Sequence, residues 1–124
     1  MLPFRLVYHV GYDLALGDHV FPSQKYQLIK ERLLEERIAS DRDFVTPPPA
    51  TDTELALVHD AGWIRRLREG TLTLAELHRL ELPHSRRMAK AFRLAAGGTL
   101  LAGRLALRDG VGFNLGGGFH HAFA

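Results

Sequence analysis

The stretch that decides the fold is FNLGGGFHHAFA, residues 113–124. Three consecutive glycines, Gly116 to Gly118, lead into two adjacent histidines, His120 and His121. Adjacent side chains on an extended strand point to opposite faces, so two such histidines share a site only where the backbone is irregular. Glycine is the residue that permits an irregular backbone. The stretch therefore raises the question of whether this is a glycine loop that brings both histidines to one site.

The residues before this loop predict a long helix followed by a buried strand. The helix runs from about Ser85 to Asp109, and VGFNL (111–115) is a short apolar run between glycines. Gly97 and Gly98 each cost about 1 kcal/mol relative to alanine inside a helix, which predicts a close approach to a neighbouring backbone. Most residues of this helix are apolar or small, which predicts a helix that lies on a sheet and is exposed to solvent along one narrow stripe. The stripe consists of Arg86, Lys90, Arg93, Gly97, Arg104 and Arg108.

The first third of the chain predicts a strand and an amphipathic helix. Phe4 to His9 is rich in residues that favour strands. A helix then opens at Pro22-Ser23, with Ser23 as the expected N-cap. Tyr26, Ile29 and Leu33 recur at helical spacing, which indicates a helix lying on the surface with one apolar face.

Two capping boxes predict short helices in the middle of the chain. Thr51 with Glu54 and Thr73 with Glu76 have the required spacing, and Gly70 is a natural stop between them. Strand, helices, long helix, strand and glycine loop in that order indicate an α/β layer with parallel strands. Ligands bind beyond the carboxyl ends of such strands, where the glycine loop is expected.

Length and composition exclude several classes of protein. At 124 residues the chain is one domain or part of one. It has no cysteine, which excludes a disulfide scaffold, a thiolate metal site and a cysteine nucleophile. Nothing at the N-terminus resembles a signal peptide, and the longest nearly apolar run, residues 94–103, is too short to span a bilayer. We expect a soluble, cytoplasmic protein with no membrane partner.

The net charge of +2 conceals a division between the two halves of the chain. Residues 1–60 hold six Lys/Arg against ten Asp/Glu, whereas residues 61–124 hold ten against four. A basic half can bind a polyanion. The favoured interpretation is that the basic residues lie on solvent-exposed faces and that the acidic residues which balance their charge lie elsewhere in the fold. Nucleic acid is further disfavoured because Phe92 is the only aromatic residue along the basic stripe.

The glycine–histidine loop fits poorly with three familiar kinds of site. A dinucleotide fingerprint needs its glycines to open a helix, and a phosphate-binding P-loop needs Gly-Lys-Ser/Thr. Tandem histidines seldom ligate one zinc ion together and would leave two positions unfilled. Acid–base catalysis stays open, because one imidazole can accept a proton while its charged neighbour stabilises negative charge. A structural turn is the equally open alternative. The other histidines, His9, His19, His59, His78 and His84, are each interpreted as structural.

Residues 97–122 resemble the histone deacetylase and acetoin-utilisation family of zinc-dependent deacylases. That family has a "GGT…A…AL…G" helix, then a strand, then "N-x-GGG-x-HHA". The present chain has Gly97-Gly98-Thr99, Ala106-Leu107 and Gly110, followed by NLGGGFHHA over residues 114–122. This glycine–histidine motif is highly specific.

Upstream segments match the same family in order. Tyr8-His9 and Tyr12 resemble its "YHPDY" opening, and HVFPSQKY (19–26) resembles the start of its first helix. LVHD (57–60) with Trp63 resembles its "L-x-x-VH-x-x-x-Y" segment. Lys25 stands where many members have arginine. The lysine pattern is closest to the histone deacetylase 11-like (class IV) and related bacterial branch.

The resemblance implies a fold, a substrate class and residue roles. It implies the three-layer α/β arginase/deacetylase fold and hydrolysis of acyl-lysine or a similar amide that enters a tunnel. Zinc polarises the carbonyl and activates water in such enzymes. His120 would stabilise the attacked carbonyl and water, and His121 would be the general base and then the general acid. Gly117, Gly118 and Phe119 would line the tunnel and bind substrate.

The family's zinc ligands and orienting carboxylates follow the tandem histidines. By resemblance, residues 1–124 are therefore expected to be the N-terminal part of a deacetylase-like domain, truncated at the tandem-histidine loop. The chain alone is expected to be inactive and to hold no zinc tightly, with a missing C-terminal portion as its partner. Two alternatives are a non-enzymatic binding or assembly fragment and, less favoured, a basic nucleic-acid-binding module.

Overall fold

The computed structural model describes residues 1–16 and 22–118. Short 3₁₀ helices occupy Val10–Tyr12 and Asp41–Asp43. No helix in the described part of the chain has both the length and the apolar character needed to cross a bilayer. The strands and α-helices of the described residues are β1 (Arg5–Val7), α1 (Lys25–Glu35), β2 (Phe44–Val45), α2 (Asp52–Leu55), α3 (Ala61–Glu69), α4 (Leu74–Leu80), α5 (Arg86–Asp109) and β3 (Gly112–Asn114).

The three strands form one parallel sheet in the order β2-β1-β3. Leu6 of β1 lies opposite Phe44 of β2 and Phe113 of β3. The first strand therefore occupies the centre. Each connection between strands passes through helices, as is usual for the crossover that parallel pairing needs. The predicted parallel α/β sheet is confirmed.

Helices cover both faces of this sheet. Successive strand residues point to opposite faces. Val7, which is fully buried, packs with Ala102 and Leu105 of α5. Leu6 packs in a separate cluster that includes Leu33 of α1. The result is three layers, α1, sheet and α5, consistent with an incomplete arginase/deacetylase-like fold.

A third apolar cluster holds α3 and α4 against the first half of α5. Its buried members include Leu80 of α4 with Met88 and Ala91 of α5, and Leu67 of α3 packs against them. Leu14, from the segment after β1, is buried in the same cluster. The described segment that follows β1 is thus anchored to the long helix.

The predicted helix boundaries hold where side-chain caps determine them. Both capping boxes form, with Thr51 accepting from the Glu54 amide and Thr73 from the Glu76 amide. Gly70 ends α3 with a φ of 76°. The long helix begins after Ser85, whose side chain accepts from the Met88 amide. These short-range patterns act through neighbouring residues and do not depend on tertiary context.

Two details of α1 differ from the expectation. Gln24, not Ser23, is the N-cap, because the Ser23 hydroxyl is buried and donates to Asp13 Oδ1 at 2.7 Å. Ile29 is 43% exposed, whereas Lys30 is half-buried on the inward side. Lys30 Nζ lies 5.1 Å from the ring centres of Tyr8 and Phe44, and this cation–π contact explains why a lysine occupies that side.

The predicted wet stripe of α5 and the predicted burial of β3 are also wrong in part. Gly97 is buried, and Leu107 is 91% exposed, because no described element lies against the last turns on that side. Phe113 is 55% exposed at the edge of the sheet, where no described strand or helix covers it. The described chain therefore leaves apolar surface open where α5 runs into β3.

Candidate active site

The segments that follow β1 and β3 meet at one edge of the sheet. Both strands are parallel, so their carboxyl ends lie side by side, the usual position of a binding site in an open α/β sheet. The 3₁₀ helix Val10–Tyr12 follows β1, and residues 115–118 follow β3. The structure thus places the opening motif of the chain beside the glycine loop, although about a hundred residues separate them.

The side chain of Asn114 joins these segments. Its Oδ1 accepts a hydrogen bond from the Tyr12 hydroxyl at 2.8 Å and another from the Gly116 amide at 3.1 Å. Its Nδ2 donates to the Ala95 carbonyl at 3.0 Å and to Thr99 Oγ1 at 3.2 Å. An asparagine side chain offers two donors and an acceptor oxygen with two lone pairs, so all four capacities are used. We call this arrangement the Asn114 junction.

Tyr12 is the buried partner in the Asn114 junction. Only 2% of its surface is exposed, and its ring makes edge contacts with Tyr8 and Tyr26 at 5.9 and 6.0 Å between ring centres. Burial raises the pKa of the Tyr12 hydroxyl well above its ordinary value. The hydroxyl therefore stays protonated at neutral pH and can donate to Asn114.

Glycines leave the space that Tyr12 and Asn114 occupy. A methyl group at Gly98 would lie 2.1 Å from the Tyr12 hydroxyl oxygen, and one at Gly116 would lie 2.6 Å from its ring. Gly97 approaches a backbone, as predicted, with Pro48 O at 2.0 Å from the same hypothetical position. At Gly98 the prediction of a neighbouring backbone is wrong, because the neighbours are side chains. The two glycines of the "GGT" motif thus make room for different neighbours: Gly97 for the backbone at Pro48, and Gly98 for the side chains of Tyr12 and Asn114.

The chain leaves β3 through a turn that glycine favours. The Gly117 amide donates to the Asn114 carbonyl at 3.2 Å, and Gly117 has a φ of 52°. Gly117 and Gly118 are exposed, and nothing in the described chain lies within 4 Å of a methyl group at either position. Phe119, His120 and His121 lie outside the described residues, so their assigned roles remain predictions, as does substrate binding by the two glycines.

Two of the other described histidines, His9 and His84, make structural hydrogen bonds. His9 Nδ1 accepts from the Gly11 amide at 2.7 Å and so caps the turn after β1. His84 Nε2 donates to the Leu67 carbonyl at 2.8 Å. His59 Nδ1 is buried and has no hydrogen-bond partner within the described residues. His19 lies outside them.

The described side chains do not fit a zinc ion. No three His, Cys, Asp or Glu side chains cluster suitably anywhere in residues 1–16 and 22–118. At the sheet edge His9 Nδ1 is engaged by Gly11, and Asp13 is engaged by Ser23 and the Ala15 amide. The Ser23 hydroxyl is the main reason that the pKa of Asp13 lies below its ordinary value.

Acidic side chains of the first half neutralise part of the basic second half. Arg93 and Arg68 both lie 2.6 Å from carboxylate oxygens of Asp52. Arg104 lies 3.6 Å from Glu54. Hydrogen bonding and attraction from Arg93, and then from Arg68, lower the pKa of Asp52. This pairing supports the interpretation of the basic half as faces with acidic counterparts elsewhere in the fold.

Sequence reasoning did not predict the contact between Tyr12 and Asn114. A partial signal was available, because Asn114 ends the strand that leads to the glycine loop. Tyr12 belongs to the segment that resembles the opening motif of the family. Nothing in the local pattern shows that the two side chains meet. That relationship depends on the order of strands in the sheet.

Comparison with known proteins gives three informative relatives. An uncharacterized protein of Picosynechococcus sp. strain PCC 7002 is 35% identical over 121 residues, which cover 97% of this chain and 40% of that protein. Histone deacetylase 2 of Arabidopsis thaliana is 28% identical over 130 residues, covering 96% and 33%. The acetoin utilization protein AcuC of Bacillus subtilis strain 168 is 33% identical over 116 residues, covering 86% and 30%.

The chain spans 40% or less of the length of these three relatives. The family model described as Histone deacetylase domain matches residues 19–124. The matched range contains α5, β3 and the Asn114 junction except for Tyr12. On this match the chain belongs to the histone deacetylase domain family.

Proposed function

We propose that this chain supplies the N-terminal part of the catalytic domain of a zinc-dependent deacylase that hydrolyses acyl-lysine or a similar linear amide. The observation that carries the proposal is the Asn114 junction. It ties Tyr12, the "GGT" helix and the start of the glycine loop together at the carboxyl edge of a parallel sheet. Family membership supplies the reaction class, and the sheet edge supplies the expected location of the chemistry.

In this proposal the two histidines have different roles. His121 takes a proton from the attacking water and then returns it to the leaving amine, a task suited to a group that titrates near neutral pH. His120 stabilises the negative charge that develops on the attacked carbonyl oxygen. Zinc, which the family resemblance implies for the complete domain, supplies Lewis acidity when it is bound.

The glycine loop gives the substrate close access to the backbone. Gly117 and Gly118 are exposed, and the space beside each Cα is free of other described atoms. A side chain at either position would occupy that space. We propose that these two residues, together with Phe119, line the entrance for the acyl group.

The proposal is tested by a chimera with a relative that carries the remaining part of the domain. Residues 1–124 replace the matching part of Arabidopsis histone deacetylase 2, and hydrolysis of an acetyl-lysine peptide is measured with zinc present. The unaltered relative is the positive control. Activity that depends on His121 supports the proposal, whereas a folded, zinc-loaded chimera without activity contradicts it.

A second candidate is a non-enzymatic assembly piece. Leu107, Val111 and Phe113 are 91%, 49% and 55% exposed near the junction of α5 and β3, which favours association with another polypeptide. Light scattering after size exclusion measures whether the purified chain self-associates. Substitution of Leu107 and Phe113 by serine should return it to a monomer if this apolar surface drives association.

A further inference from the structure

We propose that Tyr12 is a positioning residue: its hydroxyl acts through Asn114 to set the direction in which Gly116 to Gly118 leave β3. The inference rests on the proposed function only in that this loop carries the proposed catalytic histidines. Tyr12 contacts neither substrate nor reacting atoms in this account. Its effect on catalysis passes through a hydrogen bond and a loop.

The hydrogen-bond pattern fixes the roles of the partners. The Gly116 amide can only donate, and the Ala95 carbonyl can only accept. They therefore place Oδ1 of Asn114 towards Gly116 and Nδ2 towards Ala95, in agreement with distances of 3.1 and 3.0 Å. The Tyr12 hydroxyl, 2.8 Å from Oδ1, must then be the donor. Tyr12 thus completes a network whose orientation is fixed by the Gly116 amide and the Ala95 carbonyl.

Packing prevents the Tyr12 ring from moving away. The side chain lies against the backbone at Gly98 and Gly116, where a methyl group would lie 2.1 Å from the hydroxyl oxygen and 2.6 Å from the ring. Tyr8 and Tyr26 hold it from other sides. A phenylalanine at position 12 keeps this packing and removes only the donor. Asn114 Oδ1 would then retain only the hydrogen bond from the Gly116 amide. The side chain that orients the start of the loop would be held less firmly.

The expected consequence is a loss of turnover with little loss of substrate affinity. Misplacement of reacting groups by about 1 Å can cost about a hundredfold in rate, even when the mutated residue is distant. In the chimera, Tyr12→Phe should lower kcat about tenfold or more and change KM much less. Tyr8→Phe is the matched control, because it removes a hydroxyl from the same aromatic cluster without touching Asn114.

A double-mutant cycle separates positioning from general destabilisation. If the hydroxyl acts through Asn114, Tyr12→Phe should have no further effect on kcat in an Asn114→Ala background. A purely structural role would lower the folded fraction, which is measured separately by thermal unfolding, and would leave kcat per folded molecule unchanged. Additive losses of kcat in the double mutant, or a normal kcat in Tyr12→Phe, would overturn the inference. If activity still depends on His121 in that case, the proposed function stands.

Amide hydrogen exchange on the 124-residue chain tests the same inference without any activity. The Gly116 amide should exchange at least about tenfold faster in Tyr12→Phe than in the unaltered chain, because its acceptor is less firmly held. Tyr8→Phe should leave that rate unchanged. Equal Gly116 exchange in all three proteins would overturn the inference even if the chimera proves inactive.

Discussion

The guanidinium of Arg93, on the long basic helix, lies 2.6 Å from the carboxylate of Asp52 in the acidic first half of the chain. Arg93 also approaches the Ala50 carbonyl at 3.4 Å, and its side chain is 21% exposed. Arg68 reaches the same carboxylate from α3. Arginines of the basic half are therefore partly neutralised by a carboxylate of the acidic half.

Binding of duplex DNA should be weak. Carboxylates engage Arg68, Arg93 and Arg104, so these cations of the basic half are less available to neutralise phosphates. The dissociation constant at physiological salt should therefore be about 10⁻⁴ M or higher. Fluorescence anisotropy with a labelled duplex measures this. Micromolar binding with a steep salt dependence, abolished by Arg86→Glu with Lys90→Glu, would revive the nucleic-acid alternative.

Gly97→Ala should destabilise the protein. A methyl group there would lie 2.0 Å from the Pro48 carbonyl oxygen, a backbone atom that cannot rotate away. Overpacking of this kind costs about 1–3 kcal/mol, which outweighs the gain of about 1 kcal/mol in helix propensity. Urea unfolding followed by circular dichroism gives the free energy of unfolding.

Gly103→Ala is the matched control in the same helix. Gly103 is exposed, and no described atom lies within 4 Å of its hypothetical methyl group. The substitution should stabilise the chain by up to about 1 kcal/mol. Equal effects of the two substitutions would refute the packing explanation for Gly97.

Much of the fold follows from local patterns in the sequence. The capping boxes, the Gly70 stop and the limits of the long helix depend on residues within one turn of each other, so short-range chemistry predicts them. The parallel arrangement follows from strands separated by helices. Close packing at Gly97 follows from the cost of glycine inside a helix.

Other features depend on contacts that the sequence does not display. Ser23 has the residue type of an N-cap, but its hydroxyl bonds to Asp13, ten residues earlier. Phe113 has the character of a buried strand residue, yet it lies at an edge that no described element covers. Tyr12 and Asn114 meet because β3 pairs with β1, a choice made by the fold as a whole.

The ion pair between Arg66 and Glu76 should make stability depend on pH. Hydrogen bonds from Arg66, and then from the Thr73 amide, lower the pKa of Glu76 from 4.5 to about 2. A carboxyl whose pKa is lower in the folded state stabilises the protein above pH 4.5, and this contribution is lost as the pH falls towards 2. Glu76→Gln should therefore lower the urea midpoint at pH 7, and the difference from the unaltered chain should narrow below pH 4.5.

Glu35→Gln provides the control for this pH series. Glu35 is exposed on α1 and makes no ion pair with any described residue. Its substitution should change the urea midpoint little at any pH. A gap between Glu76→Gln and the unaltered chain that stays constant from pH 7 to pH 3 would contradict the assigned role of the ion pair.

The purified 124-residue chain should bind zinc weakly. Two adjacent histidines leave a tetrahedral site unfilled, and the described residues offer no cluster of further ligands. Calorimetric titration with zinc chloride should show no site of submicromolar affinity. A stoichiometric site of that strength, lost on His120→Ala, would show that the chain assembles a complete ligand set.

The central claim, that the loop after Asn114 carries the catalytic histidines of a deacylase, is tested most directly by kcat of the chimera with each histidine replaced. General acid–base catalysis contributes about 10²–10⁴-fold, so His121→Ala should lower kcat by at least about a hundredfold while KM changes much less. His120→Ala should cost about 3 kcal/mol of transition-state stabilisation. An active chimera that is indifferent to both substitutions would contradict the account.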